Sequence, residues 1–221
     1  MTKSLFEIEN FSLFPYERTL DKGDNIPEKK GIYAWYLDYS KFKKFKTKEE
    51  FALKLKLLDS LIATDELNGS VKSFFRNYNV KLEENRLFVE KYVSDITEEE
   101  IVFGERLKKM SLEDCKKVMD LMANFSVLVN PLYVGISISL KNRWYQHRKS
   151  FNKVREMQDM KEDENLILQE GLKSFGGRVA LKGFNWEYLI FACVEKEIDR
   201  NLIAESEFLI NRFYSPLFGR K

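Results

Sequence analysis

The segments KKGIYAWYL (29–37) and PLYVGIS (131–137) each combine β-favouring residues with a glycine and a tyrosine two positions apart, Gly31 and Tyr33 in the first and Tyr133 and Gly135 in the second. They lie about a hundred residues apart. Apolar alternation accounts for two strands, but not for the shared tyrosine and glycine, nor for the basic segment directly after the second strand. A third β-favouring run is FNWEYLIFACV (184–194). Together with helical segments, these runs predict an α+β fold with three strands and several helices.

Composition limits the class of protein. The chain has 221 residues, of which 44% are hydrophobic and 14% aromatic, enough for a sizeable core. No apolar run approaches the roughly 18 residues of a membrane span, and the N-terminal residues lack the pattern of a signal peptide. The two cysteines, Cys115 and Cys193, lack disulfide or metal-ligand spacing, and with a single histidine they cannot form a Cys/His zinc site. These features predict a cytoplasmic protein with no membrane partner.

The two ends of the chain are predicted to form one domain. Within residues 1–30, Pro15 and Pro27 are breakers, and we expect irregular structure there. The three predicted strands all lie in residues 1–40 and 128–221. We therefore assign these two ranges to one core domain.

Residues 41–127 are predicted to form an inserted subdomain. Their apolar residues recur at helical spacing in 51–63 and again in 115–129. Between these segments we expect shorter helical pieces, with Asn68-Gly69 as a turn. Because the segment is charged but has apolar stripes to bury, it is typical of a mostly helical subdomain rather than a linker.

Positive charge is concentrated after the second strand, although the net charge of the chain is only +2. No acidic residue occurs between positions 136 and 155. Such a segment suits a surface that follows a phosphate backbone, and the alternative is a solvated helix face. Apart from Arg143, the basic residues of this segment are candidate nucleic-acid contacts: Lys141, Arg148, Lys149, Lys153 and Arg155.

The helix predicted after the second strand brings three polar side chains onto one face. Ser139 is the expected N-cap, and Arg143 and His147 follow at successive turns. A guanidinium at the end of a strand suits a phosphate oxygen because it stays charged and donates in a planar fork. The alternatives are an ordinary surface arginine and a histidine hydrogen-bonded to a neighbour.

The last predicted helix contains two carboxylates that its periodicity separates. Glu207 shares an apolar face with Ile203 and Ile210, whereas Glu205 lies on a mostly polar side. A carboxylate on an apolar stripe must be compensated by a cation, by hydrogen bonds or by a metal ion. Glu207 is therefore the candidate site residue, and Glu205 is expected to be solvated.

This set of residues resembles the GIY-YIG nuclease superfamily. Arg143 follows Tyr133 at the family spacing, His147 follows one turn later as in the restriction-endonuclease branch, and Pro216 follows the glutamate as in the family. The elements in chain order are GIY (31–33), YVG (133–135), Arg143, His147 and Glu207. The resemblance implies a small three-stranded antiparallel sheet flanked by helices.

The resemblance also implies a function, the hydrolysis of DNA phosphodiester bonds with one divalent cation, Mg²⁺ or Mn²⁺. It implies that Glu207 binds the metal, Arg143 stabilises charge on the phosphate and His147 hydrogen-bonds a reacting group. Either Tyr133 or Tyr33 would be the general base, and we favour Tyr133. DNA is the expected partner, with RNA as an alternative, and an enzyme that cuts both strands would be a homodimer.

Two departures from the family pattern define the competing hypotheses. The motifs are separated by a long insertion, which loop-closure entropy tolerates. Gly219 stands where the family commonly has an asparagine, and Asn211 is a partial substitute. The loss of that asparagine favours a nucleic-acid-binding module that is weakened or inactive as an enzyme. In a third hypothesis the insertion is a protein-interaction domain and the motifs are relics.

Overall fold

The structure is a computed structural model. Contacts within the chain divide it into two compact units. One unit comprises residues 1–43 and 119–221, and the other comprises residues 44–118. The first unit is thus discontinuous in sequence, with the second inserted into it. The residues that the structure describes are 11–19, 22–62, 67–72, 77–82, 108–197, 199, 203–214 and 216–218.

Strands and α-helices alternate irregularly along the described residues. The strands are β1 (Phe11–Pro15), β2 (Gly31–Leu37), β3 (Leu67–Lys72), β4 (Asn77–Leu82), β5 (Tyr133–Ser137) and β6 (Leu189–Glu195). The α-helices are α1 (Tyr16–Thr19), α2 (Lys48–Ile62), α3 (Leu112–Asn124), α4 (Leu140–Asp159), α5 (Glu164–Leu172), α6 (Phe175–Leu181) and α7 (Ile203–Tyr214). No helix among these residues is long and apolar enough to cross a membrane.

The first unit is built on a four-stranded antiparallel sheet with the order β1-β6-β2-β5. The α+β class predicted from the sequence is confirmed, but the prediction of three strands is wrong. The fourth strand, β1, lies in the segment expected to be irregular, and it pairs Phe14 with Phe191 of β6. Pro15 ends this edge strand, where a missing backbone donor is tolerated.

Burial alternates along β2, whereas β5 is buried along its whole length. Along β2, Tyr33 and Trp35 are buried, whereas the intervening Ile32 and Ala34 are half-buried. The alternation is the ordinary strand period of two. The register places Gly135 opposite Tyr33. Because Tyr33 and Trp35 are the buried residues, the aromatic core lies on the Tyr33 face of β2.

Aromatic side chains fill the core on the Tyr33 face. The Trp35 ring lies 5.3 Å from the Phe175 ring, 5.0 Å from Trp186 and 5.0 Å from Phe191, between ring centroids. Offset and edge-on contacts of this kind add to the free energy of simple burial. They join the sheet to α6 and to the turn before β6.

Helix α4 begins where the sequence predicts. The Ser139 side chain accepts a hydrogen bond from the backbone N–H of Asn142, at 3.3 Å, which confirms it as the N-cap. The helix continues to Asp159, beyond the predicted end near Phe151, because Phe151 and Val154 still face the core.

The second unit contains the helix α2 and an antiparallel hairpin, β3–β4. The prediction of helical pieces with a turn at Asn68-Gly69 is wrong, because both residues lie in β3 and Gly69 pairs with Val80. Asparagine and glycine weaken helix and strand alike, so cross-strand pairing decided the local structure here. Residues 83–107, part of the predicted helical insertion, lie outside the described residues.

Candidate active site

Two tyrosines from neighbouring strands meet on the buried face of the sheet. The Tyr33 and Tyr133 rings are 6.0 Å apart between centroids. The Tyr33 phenol lies across Gly135, and a Cβ at that position would stand 2.5 Å from its hydroxyl oxygen. Gly135 therefore permits the Tyr33 ring to lie close to the backbone of β5, which any side chain at this position would prevent.

His147 reaches this pair from α4. Its Nε2 is hydrogen-bonded to the Tyr33 hydroxyl at 3.1 Å, and its ring stands edge-on to Tyr133 at 5.8 Å. Burial lowers the pKa of His147 to about 3, with the charges of Arg143 and Arg178 as further causes. The imidazole is therefore neutral at physiological pH, and it is a hydrogen-bonding group rather than a cation.

Glu207 reaches the site from α7, which packs beside β5. The Tyr133 hydroxyl donates to Glu207 Oε1 at 3.0 Å. Glu207 is half-buried, and Glu205 is exposed, as predicted from their positions on the helix. The hydrogen bond from Tyr133 supplies part of the compensation that a carboxylate on an apolar stripe requires.

Arg143 stands one turn before His147 on α4 and is half-buried. Its Nη1 donates to Gln146 Oε1 at 3.0 Å. The Arg143 charge disfavours protonation of His147 and favours ionisation of Tyr33, which places the guanidinium within electrostatic reach of both groups. Among the described residues its buried Nε has no hydrogen-bond partner.

Both phenols are neutral in this arrangement. Burial raises the pKa of Tyr33 well above its ordinary value, and the neighbouring Tyr133 adds to the rise. The pKa of Tyr133 is raised by burial and then by the negative charge of Glu207. A phenolate here therefore needs positive charge brought close to it, in particular charge that offsets Glu207.

Arg178 is a site residue that the sequence did not reveal. Its Cζ lies 5.8 Å from the centroid of the Tyr133 ring. Gly176 and Gly177 both lie within α6, although glycine disfavours a helix interior. Gly176 lets α6 approach the His147 carbonyl. No local pattern connects Arg178 with the other motifs.

Two of the five predicted nucleic-acid contacts form exposed ion pairs within the chain. Lys141 pairs with Glu28 at 3.0 Å, and Lys153 pairs with Glu170 at 2.9 Å. Ion pairs at the surface contribute little free energy, so either lysine can exchange its partner for a phosphate.

The other three basic side chains have different surroundings. Arg155 Nη2 donates to the Phe184 carbonyl at 3.0 Å, which holds that arginine against the fold. The Arg148 guanidinium lies 5.2 Å from the Trp186 ring centroid, while Lys149 is exposed. Arg155 is thus committed to a structural contact, and Lys149 extends into solvent.

The donor set of the cluster fits a hard divalent cation. Glu207 offers a half-buried carboxylate, and the Tyr133 oxygen lies beside it. Mg²⁺ is commonly held by one or two carboxylates, with water and substrate phosphates completing its coordination. In the part of the chain that the structure describes, no group of three or more His, Cys, Asp or Glu side chains is arranged to hold a metal. The Glu207 carboxylate is therefore of the ligand type that suits Mg²⁺ or Mn²⁺.

No protein-family model, curated protein or solved structure matches this chain. The resemblance to the GIY-YIG superfamily therefore stays a prediction. Of the residues that carry it, Tyr33 and His147 form one direct contact and Tyr133 and Glu207 form another. Gly219, on which the hypothesis of a weakened enzyme depends, lies outside the described residues, as does the Asn211 side chain.

Proposed function

We propose that this chain is a metal-dependent endonuclease that hydrolyses DNA phosphodiester bonds, on a GIY-YIG-like fold. One observation supports the proposal above all others. Two phenols, an imidazole and a carboxylate come from four different elements and are joined by the hydrogen bonds Tyr33–His147 and Tyr133–Glu207. A core needs no such set, because burying polar groups has a free-energy cost unless each is partnered.

Tyr133 is the general base in this proposal. Its pKa is raised partly by Glu207, and a cation held by Glu207 would offset that contribution, while Arg178 already favours the phenolate. Tyr33 is more deeply buried and is held by His147, which suits an orienting role. After Tyr133 loses its proton to solvent, the phenolate takes a proton from the attacking water. The water oxygen bonds to phosphorus, and the bond from phosphorus to the 3′ oxygen breaks with its electron pair on that oxygen.

Arg143 stabilises the charge that develops on the non-bridging phosphate oxygens. Its buried Nε donor and permanent charge suit that role. A divalent cation held by Glu207 would supply positive charge to the phosphate and to the leaving oxygen.

The test is cleavage of supercoiled plasmid in Mg²⁺, in Mn²⁺ and in EDTA. We expect nicking with either metal and none in EDTA. Arg143→Ala and Glu207→Gln should each lower the rate by at least about 10²-fold, the usual loss for one charge-stabilising group. Glu205→Gln is the matched control, because it removes an exposed carboxylate two residues away on the same helix. Variants at Arg143 and Glu207 that cut like the parent would refute the assignment.

The second candidate is a nucleic-acid-binding module that lacks strong activity, and it is favoured by Gly219 at the family's asparagine position. That candidate predicts metal-independent binding of duplex DNA with no nicking in any metal. The same assays with RNA test the alternative substrate. Sedimentation of the free and DNA-bound protein tests the proposed homodimer.

A further inference from the structure

We propose that Arg178 is a second phosphate-binding guanidinium, acting with Arg143 on the same scissile phosphate. The inference rests on the proposed function and extends it, because it adds a substrate-binding residue outside the motifs. Arg178 belongs to α6, whereas Arg143 belongs to α4. Its Cζ stands 5.8 Å from the centre of the Tyr133 ring, the ring of the proposed general base.

The fold fixes the position of Arg178 through its helix. The Ser174 hydroxyl caps α6 by accepting from the Gly177 N–H at 3.1 Å. Phe175 stacks on the Tyr133 ring at 5.2 Å and stands edge-on to His147 at 5.4 Å, between centroids. Since Arg178 follows Phe175 by three residues, both side chains project from the same side of α6 toward Tyr133.

The helix α6 approaches the site more closely than most residues would permit. A Cβ on Gly176 would collide with the His147 carbonyl oxygen. The contact joins α6 to the turn of α4 that carries the imidazole. The backbone contact between Gly176 and His147 therefore also fixes the position of the helix that carries Arg178.

Two arginines, Arg143 and Arg178, supply positive charge around the cluster. Arg143 lies one turn before His147 on α4, and the Arg178 Cζ lies 5.8 Å from the Tyr133 ring centroid. Both oppose protonation of the buried His147, which places a positive charge from each helix within reach of the imidazole. Glu207 accepts the hydrogen bond from the Tyr133 hydroxyl. Among these described side chains, two guanidiniums and one carboxylate leave net positive charge, which suits a phosphodiester anion.

A purely structural role for Arg178, bracing the Tyr133 ring, is the competing explanation. The two explanations differ in a quantity that packing does not set, namely the salt dependence of DNA binding. A side chain that neutralises one phosphate contributes about 0.9 to the slope of log affinity against log salt concentration. A bracing residue contributes nothing to that slope.

The experiment measures binding of a duplex oligonucleotide in Ca²⁺ over a range of salt, and single-turnover cleavage in Mg²⁺. The variants are Arg178→Ala, Arg178→Lys and Arg143→Ala, with Lys173→Ala as the control. Lys173 is an exposed cation just before α6 that pairs with Glu170. We expect Arg178→Ala to lower the salt slope by about one and cleavage by about 10²–10³-fold. Arg178→Lys should restore the slope but not the full rate, because an ammonium cannot donate as a planar fork.

The outcomes separate the two proposals. If Arg178→Ala behaves like the Lys173 control in both slope and rate while Arg143→Ala is impaired, the inference is wrong and the nuclease assignment stands. If the parent binds DNA but cuts it in no metal, the nuclease assignment fails, and the slope alone then decides on Arg178. A parent that binds no DNA overturns both. Arg178→Lys keeps the charge and the aliphatic part of the side chain, so its slope is informative even if the alanine variant unfolds.

Discussion

The two faces of the central strand β2 carry different chemistry. On one face Tyr33 is 1% exposed and joins a hydrogen-bonded cluster with His147. On the other face Ile32 and Ala34 are half-buried and line an open apolar groove of about 450 Å³. The same seven residues thus present a buried polar site on one side and a plain hydrophobic surface on the other. The difference teaches that the hydrogen bonds between side chains of this cluster each join residues from two different elements, Tyr33 with His147 and Tyr133 with Glu207.

Burial also explains why the two faces should respond differently to mutation. On the Tyr33 face, low exposure shifts the pKa values of Tyr33, Tyr133 and His147 away from their ordinary values. Water reaches the groove face, where no comparable set of polar groups lines the described residues. Changes on the first face should therefore alter reactivity, and changes on the second should alter stability slightly or not at all.

The largest contrast between the faces is expected for tyrosine hydroxyls. Tyr133→Phe removes the proposed base and the donor to Glu207 but keeps the ring. We expect the single-turnover cleavage rate to fall by about 10²–10⁴-fold. Tyr36→Phe, on the groove face, is the matched control and should cut like the parent. An unchanged rate for Tyr133→Phe would transfer the base role to Tyr33.

The next largest effect concerns pH, because the buried His147 titrates differently in the folded and unfolded chain. The pKa of His147 falls from 6.5 to about 3 on folding. Below pH 6.5 the unfolded state binds the extra proton, so stability falls as the pH falls, until the folded state also protonates near pH 3. The expected slope is about 1.4 kcal/mol per pH unit in this window. Urea unfolding from pH 7 to pH 4 measures it, and His147→Gln should reduce the slope; an equal slope in that variant would contradict the account.

A smaller effect is expected at Gly135, on the Tyr33 face. Gly135→Ala would place its Cβ 2.5 Å from the Tyr33 hydroxyl oxygen, so the phenol must move and its bond to His147 is strained. We expect a loss of about 1–3 kcal/mol in the free energy of unfolding, with slower cleavage. Val134→Ala, the neighbouring residue on the groove face, should retain cleavage. Urea denaturation with the nicking assay checks both, and a fully active Gly135→Ala would show that the close approach is dispensable.

The smallest effect is expected in the groove. Ile32 is half-buried, so deleting one methylene there removes little additional apolar area from the folded protein's interior. Ile32→Val should lower stability by less than about 1 kcal/mol and leave cleavage unchanged. A larger loss of stability, measured from the urea midpoint, would mean that the two faces are more alike than their exposure indicates.

The sequence by itself determined the features that depend on local period and spacing. Alternation predicted β2 and β5, a long run of β-favouring residues predicted β6, and Ser139 was predicted as a helix cap. Helical periodicity distinguished Glu207 from Glu205. These predictions held because the periodicity of side-chain directions along a strand or helix depends on that segment alone. The proximity of Tyr33, His147, Tyr133 and Glu207 was implied only by the family resemblance, and the roles assigned to them stay predictions.

Only the tertiary structure decided the features that depend on a distant partner. Strand β1 forms because Phe14 finds Phe191 on β6, and Gly69 lies in a hairpin because Val80 pairs with it. Arg178 joins the site because Gly176 lets one helix approach another. The free energy that fixes these positions comes from contacts between residues far apart in the chain. A local sequence pattern does not reveal such contacts.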